Sequence, residues 1–443
     1  MSGVLAKLRR GTSGHSSFEE RLLVLCAAVV LSLFPHLLFV RFLPMPWQKN
    51  ESADFKVFYE PVAHQLAMGR GLYLPSGKPA LKYPPGIPVI YAATFWFSDE
   101  LGWRRERGLR ALQASVTLAT SVLITMLAVE LLGARGGLLT CLLWSTYPFH
   151  LWTSKQPSGE ALACIFLLLA VWAFVMWSGR GRIPLWWGSA CGAMAGGAAL
   201  TKPFHIALAG AFVILAWICD SPVTRWKRAL FSISVLATFA VTILPWELWA
   251  SRQAGHLLLL CNNDAASVLD GLTFGAGRTR VQDLPSLPRP AAEVAKAFAG
   301  RRREFSSLTQ VASYLVVQLR EKPAGVALLF AAKAIRCWYA NDSHRHERWT
   351  IMIQLLYLPL LILGACMAWR KDRPSRNFFL IGLVVTFYYW GMTTVAALAI
   401  VRYMLPATSL LMVFASQGLC LTAEAFGRRA TFVKKDVPVE SLT

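Results

Sequence analysis

Asp54 is the residue best placed to do chemistry. It heads the stretch DFKVFYEPVAHQLAMGRGLYLPSGKPALKYPPG, residues 54–86, a polar-competent segment that follows directly on an apolar run. Phe55, Phe58, Tyr59, Val62 and Leu66 recur at three- and four-residue spacing, which is one face of a short amphipathic helix. Gly69 and Gly71 end that helix, and Pro84, Pro85 and Gly86 end the loop behind it. An acid held beside aromatics at a membrane surface has its charged form disfavoured, so its pKa rises and it can act as a general base toward a hydroxyl. The plainer role is an N-cap, because Asp is favoured just before a helix; the two roles are compatible. Glu60, six residues on, falls on a different face of the same helix and reads first as a solvated charge.

Other polar residues sit at the ends of apolar runs. Lys155, Lys202 and Arg402 lie in short turns, and each has a plain reading as an interfacial cation with its stem in the apolar layer. Glu247 follows Pro245 and Trp246 near the end of an apolar run, placed either to position an acceptor or to sit in the interface. His344 and His346 form an HxH beside Asp342 and Glu347; alternating His can hold a metal on extended backbone, but a solvated cluster is the commoner outcome, and no metal is assigned. Lys82, Tyr83 and Tyr403 are candidates for lining a cleft. Trp152, Trp246, Trp249, Trp338 and Trp349 read as an aromatic belt.

The elements that position these residues follow from composition. The chain has 443 residues, 55% of them apolar and 16% charged, with a mean hydropathy of +0.46. Soluble domains carry roughly 25% charged residues, so this is an all-α polytopic membrane protein. The net charge of +21 is not a nucleic-acid signature, because Lys and Arg cluster in short loops between apolar runs. Nine cysteines are scattered without a CxxC, which excludes a zinc motif and gives no disulfide frame. Runs long enough to span, or nearly so, are 21–43, 109–132, 137–152, 160–178, 183–200, 203–219, 229–249, 350–369, 377–399 and 403–421. Two further runs, 86–98 and 323–340, are read as helices in the outer interface, because letting 86–98 cross would export the basic loops at 180–182 and 225–228. The expected layout is a cytoplasmic tail 1–20, a transmembrane region 21–249 with a first outer loop at 44–108, a large outer loop 250–349, a transmembrane region 350–421 and a cytoplasmic tail 422–443. Gly192, Gly196 and Gly197 give the span 183–200 a small-residue face for close packing. Residues 270–304, rich in Pro, Gly and Arg, read as a flexible outer loop.

The order Asp54, Tyr59, Ala63, Leu66, Gly69, Tyr73, then Tyr83-Pro84-Pro85-Gly86, resembles the first outer loop of GT-C superfamily glycosyltransferases. These include protein mannosyltransferases, lipid A aminoarabinose transferases and bacterial enzymes that use polyprenyl-phosphate sugars. The likeness continues through Pro157-x-x-Glu160, Thr201-Lys202-Pro203, Leu244-Pro245-Trp246 and Arg402-Tyr403-x-x-Pro406, and so covers most of the chain. Many relatives carry an Asp-Glu pair where this chain has Asp54-Phe55; that resembles the single-Asp branch, including phosphatidylinositol-mannoside mannosyltransferases.

The resemblance implies a GT-C-like fold of about ten transmembrane helices plus outer interfacial helices, and an inverting glycosyltransferase. Its donor would be a polyprenyl-phosphate sugar and its acceptor a hydroxyl on a lipid, glycan or protein. It implies that Asp54 is the catalytic base. With a phosphate as leaving group, Arg402, Lys202 and Lys155 become the phosphate-binding cations. Tyr59, Glu60, Lys82, Tyr83, Glu247, His344, His346 and Tyr403 would line the substrate cleft. No cofactor is expected, and the site would face the exterior of a bacterial inner membrane. A lipid-linked-sugar flippase shares this composition, but a transporter should place ionisable groups near mid-membrane rather than at the ends of spans. A non-catalytic assembly partner would leave Asp54 dispensable.

Overall fold

The computed structural model describes residues 18–42, 52, 54–154, 157, 159–180, 184–276, 284–341, 344 and 347–435. Among these residues the regular structure is all helix, joined by turns and loops, with one isolated bridge between Tyr73 and Pro79. The helices are α1 (Phe18–Phe42), α2 (Glu60–Ala67), α3 (Gly86–Glu100), α4 (Arg105–Ser145), α5 (Pro148–Ser154), α6 (Gly159–Arg180), α7 (Pro184–Thr201), α8 (Leu208–Ile218), α9 (Arg225–Ala254), α10 (Asp264–Leu272), α11 (Arg289–Gly300), α12 (Leu308–Glu321), α13 (Pro323–Arg336), α14 (Glu347–Arg370), α15 (Arg373–Ala396) and α16 (Leu405–Lys435).

Among the described residues seven helical stretches are long and apolar enough to cross a membrane: α1, α4, α6, α9, α14, α15 and Val401–Ala425, which includes most of α16. The ten apolar runs of the sequence all fold as helix, but not as ten separate rods. Run 109–132 and the first part of run 137–152 share α4, which breaks at Gly133, where φ is 75° and ψ is −179°; the end of the second run forms α5. Only glycine takes that conformation without strain. At about 1.5 Å per residue, 41 residues make roughly 60 Å, about twice the hydrocarbon thickness, so the helix has to fold back. Run 203–219 is a 3-10 turn, Pro203–His205, followed by the short α8.

In lipid no hydrophobic drive brings helices together, so close backbone approach has to do it. The glycine face read on 183–200 does so. A Cβ on Gly192 would stand 2.3 Å from the Val235 carbonyl oxygen, and one on Gly196 2.7 Å from Thr242 Cβ, both on α9. Gly197 faces the other way, against the Phe166 ring of α6. Gly364 of α14 and Gly418 of α16 make the same kind of joint: Cβ atoms there would collide with the Phe414 and Leu360 carbonyls respectively.

The segment between α9 and α14 overturns one expectation. The stretch read as a flexible loop over 270–304 contains α11, with Ala291, Val294, Ala295 and Phe298 buried. Pro290 starts the helix, and the 3–4 spacing of those apolar residues gives it a face to bury. Arg302 just beyond it reaches Asp270 of α10, a carboxylate only 2% exposed. The helix read over 323–340 is α13, and its two cations turn inward rather than toward an interface. Arg336 pairs with Glu347 at 2.6 Å, and Lys333 lies over the Phe330 ring at 5.5 Å.

The contact that matters most for the site is at Gly86, the first residue of α3. A Cβ there would lie 2.5 Å from the Leu200 carbonyl oxygen at the end of α7. Gly86→Ala therefore has to push α3 away from the residues leading into Lys202. The expected cost is about 1–3 kcal/mol, measured as a lowered thermal midpoint of the detergent-solubilised protein; an unchanged midpoint would contradict this packing.

Candidate functional site

Asp54 opens a π-helical turn, Phe55–Tyr59, that leads into α2. Such turns are rare, and many mark functional sites. Phe55, Phe58, Tyr59 and Val62 are buried, as their spacing required, and Leu66 packs beside them. The N-cap reading of Asp54 fails. Its side chain makes no capping bond; instead the Ser52 hydroxyl oxygen accepts from the Phe55 N–H at 3.1 Å. The Asp54 carboxylate is thus left for other partners. Tyr83 O–H donates to its Oδ1 at 2.9 Å, and Lys82 Nζ stands 3.5 Å from the same oxygen. Tyr59 packs against Tyr83, with ring centres 5.3 Å apart.

Next to this group lies a second carboxylate. Glu160, at the start of α6, is 3% exposed. Its Oε1 is 3.1 Å from Lys202 Nζ and 3.3 Å from Arg402 Nε. The two cations come from distant places: Lys202 from the extended residue after α7, Arg402 from the 3-10 turn before α16. Both lie over the Tyr403 ring, at 5.6 and 5.3 Å. Burial and Arg402 lower the Lys202 pKa, but Glu160, Tyr403 and Asp54 outweigh them and raise it, so the ammonium stays charged.

Asp54 behaves differently from the sequence expectation. Burial raises its pKa, but Lys202, Lys82, the Tyr83 hydroxyl and Arg402 together more than offset burial and hold it below the ordinary aspartate value. The carboxylate is ionised at neutral pH. Aromatic surroundings suggested the opposite direction; the cations converging from elsewhere in the chain decide the sign.

Of the residues read from sequence, Asp54, Tyr59, Lys82, Tyr83, Lys202, Arg402 and Tyr403 come together. Lys155 and His346 lie outside the described residues. Glu60 stands half-buried in the first turn of α2. Glu247 is held as a structural pin: its Oε1 accepts from Leu260 N–H at 2.7 Å, while Trp246 Nε1 donates to the Leu260 carbonyl at 2.7 Å. His344 is bound to other groups: its Nε2 donates to the Phe274 carbonyl at 3.1 Å, which leaves Nδ1 to accept from Arg336. Glu160 is the residue that sequence reasoning missed as a site member. Its signal was present in Pro157-x-x-Glu160, at the same rim as Thr201-Lys202-Pro203.

The segment between α9 and α14 closes over the cluster at two points. Asn262 N–H donates to the Leu81 carbonyl at 2.8 Å, beside Lys82, and Asn263 Nδ2 reaches the Tyr83 hydroxyl at 3.4 Å. On the other flank, Val401 N–H donates to the Ala340 carbonyl at 2.9 Å. Among the described residues no three His, Cys, Asp or Glu side chains gather as a metal site. The arrangement offers an ionised carboxylate beside an excess of positive charge, which suits a reaction in which a hydroxyl loses a proton while an anion departs.

Residues 86–249 match the family model for dolichyl-phosphate-mannose-protein mannosyltransferases. No curated protein matches the chain by sequence. Among solved structures it is similar to the oligosaccharyltransferase of Archaeoglobus fulgidus. The form tethered to an acceptor peptide gives a TM-score of 0.55 at 11% identity, covering 91% of this chain and 50% of that one. The form with zinc and sulfate gives 0.51 at 13%, covering 93% and 50%. The form with an inhibitory peptide and a dolichol-phosphate gives 0.51 at 12%, covering 97% and 53%. This chain spans about half the length of those structures.

Removing the charge of Glu160 leaves two buried cations facing each other. Glu160→Gln should cost on the order of 3 kcal/mol in stability, whereas Asp54→Asn, at a half-exposed carboxylate, should cost well under half of that. Unfolding of the two purified variants measures the difference, and equal losses would contradict the bridging role.

Proposed function

We propose that this chain, which has the fold of the GT-C superfamily of membrane glycosyltransferases, moves one sugar from a polyprenyl-phosphate carrier to an acceptor hydroxyl. The observation that carries this reading is the convergence of Asp54, Lys202 and Arg402 at one rim of the helix bundle. A dolichol-phosphate in one structural neighbour and the dolichyl-phosphate donor in the name of the matching family support a lipid-phosphate leaving group. The acceptor is a hydroxyl of a lipid, glycan or protein. The site faces the exterior side of the membrane, in line with the placement of basic loops on the opposite side.

In this mechanism Asp54 takes the proton of the acceptor hydroxyl as its oxygen attacks the anomeric carbon. The bond from that carbon to the donor phosphate breaks, and its electron pair leaves with the phosphate oxygen. Lys202 and Arg402 stabilise the charge that develops there. Glu160 holds the two cations in place and raises the pKa of Lys202. Lys82 and Tyr83 aim the Asp54 carboxylate. One displacement inverts the anomeric centre.

The depressed pKa of Asp54 has a role in this scheme. In the empty site Lys202 and Arg402 stabilise the carboxylate, which makes it a weak base. A donor phosphate draws on the same two cations and loosens their hold on Asp54. The base then strengthens when the donor arrives.

Asp54→Asn and Asp54→Ala should each lower transfer by about 10²–10⁴-fold, read as release of polyprenyl phosphate from a labelled donor. A flippase would release none from the wild-type protein. Normal turnover by both variants would remove the mechanism. The acid limb of kcat/KM reports the free site and should lie at lower pH than the acid limb of kcat, which reports the loaded one; coincident limbs would rule out the donor-coupled base.

A further inference from the structure

At the rim opposite the carboxylate-cation cluster, a cavity of about 220 Å³ opens between α4, α6 and α15. Its walls are Leu131, Val175, Phe378 and Ile381, and its polar lining includes Ser178 and Arg373. Leu131 stands two residues before the break at Gly133, where α4 turns away and leaves room.

Arg373 is tethered but not satisfied. Its Nε donates to the Asp220 carbonyl at 2.9 Å and lies 3.6 Å from the Asp220 carboxylate. Its Nη2 is shielded from solvent and has no hydrogen-bond partner. The other polar side chains that line the cavity, Asn377 and Ser178, are engaged. Asn377 Nδ2 donates to the Asp220 carbonyl and its Oδ1 accepts from the Asp220 N–H. Asp372 accepts from Ser375 N–H as a helix cap. Ser178 O–H donates to the Val175 carbonyl. Arg370, Lys371 and Arg376, close to Arg373 in the chain, are exposed, so basic residues outnumber Asp220 and Asp372 on this stretch.

A shielded guanidinium N–H at the edge of an apolar crevice wants an anionic oxygen joined to a hydrocarbon chain. A free inorganic anion would satisfy the guanidinium but leave the apolar walls uncovered; a zwitterionic lipid would bring its own cation to a rim already rich in them. We propose that this cavity binds one anionic phospholipid from the surrounding leaflet, its phosphodiester on Arg373 and part of an acyl chain against Leu131, Val175, Phe378 and Ile381. Basic pockets between spans on a positively charged rim are suited to such headgroups. The site is independent of the transfer centre and holds a structural lipid rather than a substrate.

Native mass spectrometry of the full-length, detergent-purified protein tests this with dioleoyl phosphatidylglycerol, dioleoyl phosphatidylcholine and inorganic phosphate as probes. The expected result is one phosphatidylglycerol retained per chain, at least tenfold more strongly than phosphatidylcholine. Arg373→Gln should remove that preference, and Arg376→Gln, at the exposed neighbour, should keep it. Ser178→Leu, which fills the cavity without touching the charge, should also lower phosphatidylglycerol retention at least tenfold. Each variant is compared by thermal midpoint: phosphatidylglycerol should raise that of the wild type and Arg376→Gln, and leave Arg373→Gln and Ser178→Leu unmoved. Equal retention of both lipids, equal loss from Arg373→Gln and Arg376→Gln, or stabilisation by inorganic phosphate alone would each overturn the proposal.

Discussion

The site depends on one buried carboxylate shared by two cations. Glu160 is nearly sealed from solvent, and a lone charge in such a place is costly unless it is paired. Lys202 and Arg402 pair it, and it fixes them in return. The three residues come from α6, the turn after α7 and the turn before α16, so the triad also ties the early and late parts of the bundle together. The same cations, with Lys82 and the Tyr83 hydroxyl, hold the Asp54 pKa below its ordinary value.

The bundle supports this arrangement by close backbone packing as well as by apolar contact. Gly192 and Gly196 set α7 on α9, and Gly86 brings the head of α3 to the end of α7. The result fixes the backbone that leads into Lys202. The break at Gly133 returns α4 toward the rim where α5 and α6 begin, and Glu160 lies in the first turn of α6. Local sequence choices that look merely permissive, a glycine here and a proline there, decide where the charged groups meet.

Much of this was legible in the sequence, and the failures have physical causes. The helical class and the amphipathic face of 55–66 followed from periodicity, which is a local property. The glycine face of α7 was visible for the same reason. The capping role offered for Asp54 was wrong because Ser52, two residues earlier, takes it. The direction of the Asp54 pKa was wrong because its neighbours in the chain are aromatic while its neighbours in space are cationic. Glu160 escaped notice as a site residue because a single acid at the start of an apolar run looks like a helix-end charge; only the approach of residues 202 and 402 gives it work. The loop expectation over 270–304 weighed its Pro and Gly content above the short apolar pattern of α11.

The segment between α9 and α14 is fastened on both flanks of the cluster. One hydrogen bond joins it to Leu81, next to the residues that aim Asp54; the other joins it to Val401, next to Arg402. It works as a yoke across the two halves of the site. Any rocking of that segment would pull on Leu81 and on Val401 in the same stroke, and so on the chain beside Tyr83 and Asp54 and on the chain beside Arg402.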